Sequence, residues 1–204
     1  MFALVESGSI TKYLNGNKGI TIGDNQYPRA IYTLWTEAER NAINIYAVEY
    51  DDSNKKDEQW YINTNQSYAF ANSKVTATYG TATAKAHADT LYTAEDEEDG
   101  KGTEGELKKE GLKTKLIRSV KLEAANELAK TDWYITRKAE KSTAIPSAIT
   151  THRNLVRSRQ AAMETSITNA SDTPALETLY TYVNTADEGD PIVMARPLAK
   201  IPNL

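Results

Sequence analysis

The apolar positions along the chain follow two different rhythms. In the first part they form short runs bounded by turn residues. Residues 1–5 and 10–14 flank Glu6-Ser7-Gly8-Ser9, a connection suited to a β-hairpin. Gly16, Gly19 and Gly23 punctuate a loop around residues 20–22. Residues 30–35 read as a further apolar run after Tyr27-Pro28-Arg29. Thr36 with Glu39 three positions later is a capping box, in which each side chain satisfies an orphan backbone N–H. It predicts one short helix over 36–44. Beyond it, residues 45–50, 59–63, 67–71 and 74–79 are rich in Tyr, Trp, Phe and Val and separated by Asp, Asn, Ser and Gly clusters. That spacing predicts an antiparallel meander.

From Glu106 the rhythm changes. Leu107, Leu112, Leu116, Val120, Ala124 and Leu128 return every three to five residues, as one face of a helix does. Gly111 weakens the first turn of that helix. A loop is expected over 131–145, and Pro146 suits the first turn of the next helix. Ile149, Val156, Met163 and Ile167 mark the second face. Asp172-Thr173-Pro174 opens a shorter third helix with Leu176, Leu179, Tyr180 and Val183. Two long helices, each with one apolar stripe, predict an antiparallel helical hairpin.

The charge distribution supplies the boundary between the two rhythms. The 204 residues carry a formal net charge of −4, but residues 95–110 hold 3 basic against 8 acidic side chains and residues 111–170 hold 11 against 5. Glu95-Asp96-Glu97-Glu98-Asp99 followed by Gly100, Gly102 and Gly105 therefore reads as an exposed acidic linker. The expected class is α+β: a small antiparallel β-rich domain over 1–90, a linker over 91–105, a helical module over 106–185 and an extended tail over 186–204.

Composition then removes chemistries. There is no cysteine, which excludes disulfides, thiolate zinc sites, iron–sulfur clusters and cysteine nucleophiles. The two histidines are His87 and His152, and His152, among Thr151, Arg153 and Asn154, reads as an unpaired surface residue. The sequence has neither a phosphate-binding loop nor a nucleophile elbow. No apolar run approaches the roughly 18–20 residues of a membrane span. The opening MFALVESGSI has no basic stretch, so no secretory signal is expected.

Three residue groups merit weighing. Glu95, Glu97, Asp99, Gly100 and Glu106 fall on positions 1, 3, 5, 6 and 12 of a calcium-binding loop, although Glu stands where Asp is usual and Gly102 where an apolar residue is usual. A solvated linker is the stronger reading. Lys113, Lys115, Arg118, Lys121, Arg153, Arg157 and Arg159 raise nucleic-acid binding, but interspersed Glu123, Glu127, Asp132, Glu140 and Glu164 offer internal partners. Tyr27, Trp35, Trp60 and Tyr61 are candidates for a partner surface or a glycan-stacking platform.

The most distinctive string runs from Leu128-Ala-Lys-Thr-Asp-Trp-Tyr134 through Arg137, Glu140, Ile145-Pro146, Ile149, Arg153 and Arg157. Arg153 and Arg157, four apart on one helix face, are placed to meet Asp132 or Glu140 in a bidentate clasp, with Trp133 sealing the open end of the hairpin. The pattern L-x-x-T-D-W-Y-x-x-R-x-x-E … I-P-x-x-I-x-x-x-R-x-x-x-R resembles the helical-hairpin module of tailed-bacteriophage tail proteins of the tail assembly chaperone-like or tail fibre assembly-like kind. Ile31-Tyr-Thr-Leu-Trp-Thr-Glu-Ala-Glu-Arg40, Tyr61-Ile-Asn-Thr-Asn-Gln-Ser-Tyr68 and Arg196-Pro-Leu198 resemble virion proteins of marine and cyanobacterial phages. The resemblance implies a non-enzymatic tail, baseplate or fibre-attachment protein, assembled in the host cytoplasm and carried in the virion. Alternatives are an assembly chaperone absent from the particle and a glycan-binding fibre accessory. It implies other tail proteins and further copies of the chain as partners, with no cofactor, no nucleic acid and no membrane. It also leads one to expect a glycine-containing turn where this chain has Lys141-Ser-Thr-Ala144.

Overall fold

A computed structural model describes residues 1–64 and 66–204; Asn65, within the Tyr61–Tyr68 stretch, lies outside the described residues. The chain is of the α+β class and divides into two compact units, Met1–Thr83 and Ala84–Leu204.

In the first unit β1 (Phe2–Glu6) and β2 (Ser9–Leu14) form the expected hairpin, with Ser7 and Gly8 both at positive φ in its turn. The short β3 (Ile20–Ile22) and β4 (Asn25–Tyr27) make a second hairpin. Two small helices follow, α1 (Ile31–Leu34) and α2 (Glu37–Ala42). After them come β5 (Ile45–Asp51), β6 (Tyr61–Ile62), β7 (Ser67–Ala71) and β8 (Lys74–Thr78), and β9 (Thr83–Ala84) falls at the division of the chain. Five strands make one sheet in the order β2-β1-β5-β8-β7.

β1 is buried on both faces because it sits mid-sheet between two cores. Ala3 and Val5 join Val48, Val75 and Ala77 on one face, while Leu4 packs with Leu14, Ile20, Ile31, Tyr32 and Ile45 on the other. The sheet curls so that its two edge strands approach, and the Tyr13 ring of β2 lies 4.8 Å from the Tyr68 ring of β7.

Two expectations are corrected here. The sheet is mixed: β5 and β8 pair in parallel, Val48 opposite Val75, with β6 and β7 intervening in the chain, since parallel neighbours need a crossover connection. The apolar run over 30–35 holds the helix α1 at residues 31–34 and turns extended at Trp35, with Ile31 and Tyr32 buried and Leu34 79% exposed, which no alternating strand would give. The Thr36–Glu39 capping box forms as expected, and α2 ends before Asn44 at φ +60°.

The second unit begins earlier than the charge pattern suggests, and the acidic segment belongs inside it. β10 (Thr90–Leu91) pairs with β11 (Leu107–Lys109), and α3 (Ala94–Glu98) stands between them. The segment is not a bare linker. Thr93 and Asp96 form a reciprocal cap, Asp96 is only 8% exposed, and its carboxylate takes Lys108 Nζ at 2.7 Å. The lysine and the α3 N-terminus both hold the Asp96 carboxyl below its ordinary range. Like charges pack here because one of them is internally neutralised.

The helices are α4 (Leu112–Ala129), α5 (Asp132–Lys141), α6 (Ser147–Asn169) and α7 (Thr173–Tyr180). α4 and α6 are antiparallel, as Lys113 Nζ on Thr168 O, Lys121 on Glu164 and His152 on Glu127 require. Val120 and Ala124 pack in a core with Ile149, Val156, Met163 and Ile167, and each fully buried aliphatic side chain contributes about 1.5–3 kcal/mol.

α4 starts at Leu112, not near Glu106. Asp89, far earlier in the chain, accepts from Gly111 N at 2.7 Å and Thr114 Oγ1 at 2.8 Å and so caps it. These donors lower the Asp89 pKa. Gly111 is required at that junction, since a Cβ would sit 2.3 Å from the Ala88 carbonyl.

The expected loop over 131–145 is largely α5. The tail is not merely extended: β12 (Val183–Asn184) pairs with β13 (Met194–Ala195), Leu198 N donates to Leu179 O, and Leu198 and Ile201 are buried. Among the described residues no helix is long and apolar enough to cross a membrane.

Candidate interaction site

The distinctive string folds as the corner where α4, α5 and α6 meet. α4 ends at Ala129, leaving carbonyls of its last turn without helical partners. Thr131, 1% exposed, turns the chain and donates its hydroxyl to Leu128 O at 3.0 Å. Arg153 reaches this corner from α6. Its Nη1 donates to Leu128 O at 2.8 Å and Thr131 Oγ1 at 2.7 Å, and pairs with Asp132 Oδ1 at 2.8 Å. One guanidinium thus caps the end of α4, where a cation is favoured, and fixes the first turn of α5. The contact to Asp132 is made by one nitrogen and is not bidentate.

The other residues of the expected clasp lie elsewhere. Trp133 is 51% exposed and does not seal the hairpin. It points outward because Asp132 directs the inner face of the first α5 turn toward Arg153. Its ring lies 3.8 Å from that of Tyr134, and the Arg137 guanidinium covers both, at 4.8 and 5.3 Å. Arg157 and Glu140 are exposed, and neither has an ion pair or hydrogen bond among the described residues. Exposed Ile135, at 42%, extends the outer surface. α5 closes at Ser142, which adopts the left-handed conformation at φ +54° that glycine takes without strain.

A second buried polar centre was missed in the sequence. Glu127 of α4 is 4% exposed and accepts from Lys130 Nζ, from Leu204 N at 2.9 Å, and meets His152 Nε2 at 3.0 Å. The ammonium contact is the chief cause that lowers the Glu127 pKa, against the effect of burial. His152 is therefore buried and partnered, contrary to the surface reading. The signal was present: Glu127 follows Ala124 by three on the inner stripe of α4, and His152 precedes Val156 by four on that of α6.

The remaining candidates are dispersed. Trp60 and Tyr61 are buried, at 3% and 4%, and Tyr27 packs edge-on to Trp35 at 5.9 Å against the β1 core. No four-ring platform exists. Nor does the calcium arrangement form. Glu95 and Glu97 lie in a helix, Glu97 accepts from Glu104 N, and Asp99 pairs with Lys101. Among the described residues no three His, Asp or Glu side chains converge as a metal ion needs. On the basic helix, Arg118 pairs with Glu110 and Lys121 with Glu164, which spends charge internally.

No family model, curated relative or solved structure matches the chain.

Proposed function

We propose that this chain is a non-enzymatic structural protein of a bacteriophage tail, baseplate or fibre attachment, acting by docking onto other tail proteins and further copies of itself. The observation that carries the reading is the outward Trp133–Tyr134–Arg137 stack. Trp, Tyr and Arg are the residues that dominate protein–protein binding energy, and here a half-exposed Trp133 is stacked with the partly buried Tyr134 and Arg137. The stack rides on a short helix locked by the Arg153 corner, so binding it costs little ordering of the backbone. The sequence pattern that resembles tail hairpin modules covers this same corner. The reading needs neither cofactor nor membrane, and puts the protein in the virion after assembly in the host cytoplasm.

Quantitative mass spectrometry of purified particles tests it. A structural component is found in particles at a fixed copy number relative to other tail proteins. Presence in infected lysates with absence from particles would refute the structural role in favour of an assembly chaperone.

A further inference from the structure

We infer that the loop between β2 and β3 is a binding site for an oxyanion, the phosphate or carboxylate group of a small polar ligand. A cleft of 620 Å³ opens there, lined by residues 12–21 and Tyr32. Its floor is the buried, apolar set Leu14, Ile20 and Tyr32. Its rim carries Lys12 and Lys18 with Asn15 and Asn17, and no carboxylate lines it.

Three observations converge. None of these four polar side chains has a hydrogen bond or ion pair among the described residues, whereas lysines of the second unit such as Lys108 and Lys121 do pair with carboxylates. The backbone N–H groups of Gly16, Asn17 and Lys18 also donate to no acceptor among the described residues. Consecutive free N–H groups beside a left-handed residue form an anion-binding concavity, and Gly16 stands at φ +70°. Finally, the loop is held close against the core. A Cβ on Gly19 would lie 2.5 Å from Tyr27 O, and one on Gly16 would lie 3.3 Å from the Tyr32 ring. Two cations, two amides and a loop with three unpaired backbone donors thus line one cleft that no carboxylate lines.

The site is independent of the docking surface on α5, and either can fail without the other. The test is amide chemical-shift titration of the full chain with inorganic phosphate, glucose 6-phosphate and glucuronate, with neutral glucose as control. Saturable shifts of the Gly16, Asn17 and Lys18 amides are expected with an anionic probe and not with glucose. Saturation by both phosphates marks a phosphate-bearing ligand; saturation by glucuronate alone marks a carboxylate-bearing one. The double variant Lys12→Ala/Lys18→Ala alters two exposed side chains, so its Tm should hold while affinity falls by about tenfold or more. No saturable shift with any of the three anions overturns the proposal, as does equal binding by the double variant.

Discussion

Replacing Arg153 by methionine removes the cation at the three-helix corner while keeping most of the aliphatic stem. The side chain is 9% exposed, so its hydrogen bonds are made away from water. Two acceptors lose a charged donor, Leu128 O and Thr131 Oγ1. Hydrogen bonds to charged groups are each worth about 1.5–3 kcal/mol. Asp132 is 61% exposed, so its pairing adds only about 0–1 kcal/mol. Water entering the corner recovers part of the loss, leaving a net cost of about 3 kcal/mol. With a urea m-value of about 2 kcal/mol/M, the midpoint of the second unit should fall by about 1.5 M. Far-ultraviolet ellipticity, dominated by the helices of that unit, follows the transition. Arg153→Lys keeps a charge without the fork and should lose about half as much. A loss below about 0.5 kcal/mol for Arg153→Met would refute the claim that this guanidinium joins the helices.

Trp133→Ala should cost less than about 1 kcal/mol by the same urea titration, against the 3–5 kcal/mol of a buried tryptophan. Gly111→Ala drives a methyl into the Ala88 backbone and should cost about 1–3 kcal/mol, read as a fall in Tm. Glu127, Asp96 and Asp89 have pKa values lowered in the folded state, so the stability they confer is present above the ordinary carboxylate range and lost as pH falls through their native values. Tm should therefore decline on acidification below about pH 4.5, less so in Glu127→Gln, and a Tm rising in acid would contradict those pairings. Ser142→Gly relieves a left-handed serine and should raise Tm slightly, by up to about 1 kcal/mol of stability.

The helical stripe was legible in the sequence because period and burial coincide: Ile149, Val156, Met163 and Ile167 all lie inside. The Thr36–Glu39 cap was equally legible, since both partners sit three residues apart. Strand direction was not, because alternation looks the same in parallel and antiparallel pairs, and β5–β8 is settled by the crossover between them. The acidic segment misled for a related reason. Its repulsion is visible locally, but Lys108, which neutralises Asp96, is supplied twelve residues later across a hairpin. At the corner, the spacing of Asp132 and Arg153 indicated partners, while the outward direction of Trp133 depended on a helix, α5, that the text of 131–145 did not announce. Glu127 and His152 escaped notice because polar residues on an apolar stripe look like interruptions until both stripes are seen to carry one at the same level.

The docking face is probed by a photo-crosslinking residue placed at Trp133 in the protein of assembled tails, compared with the same group at exposed Leu122 on α4. Docking through the Trp133 face gives a discrete crosslink from position 133 to a tail protein or to a second copy of this chain, and none from position 122. Absence of the protein from tails, or equal yields at the two positions, would contradict docking through the Trp133–Tyr134–Arg137 surface.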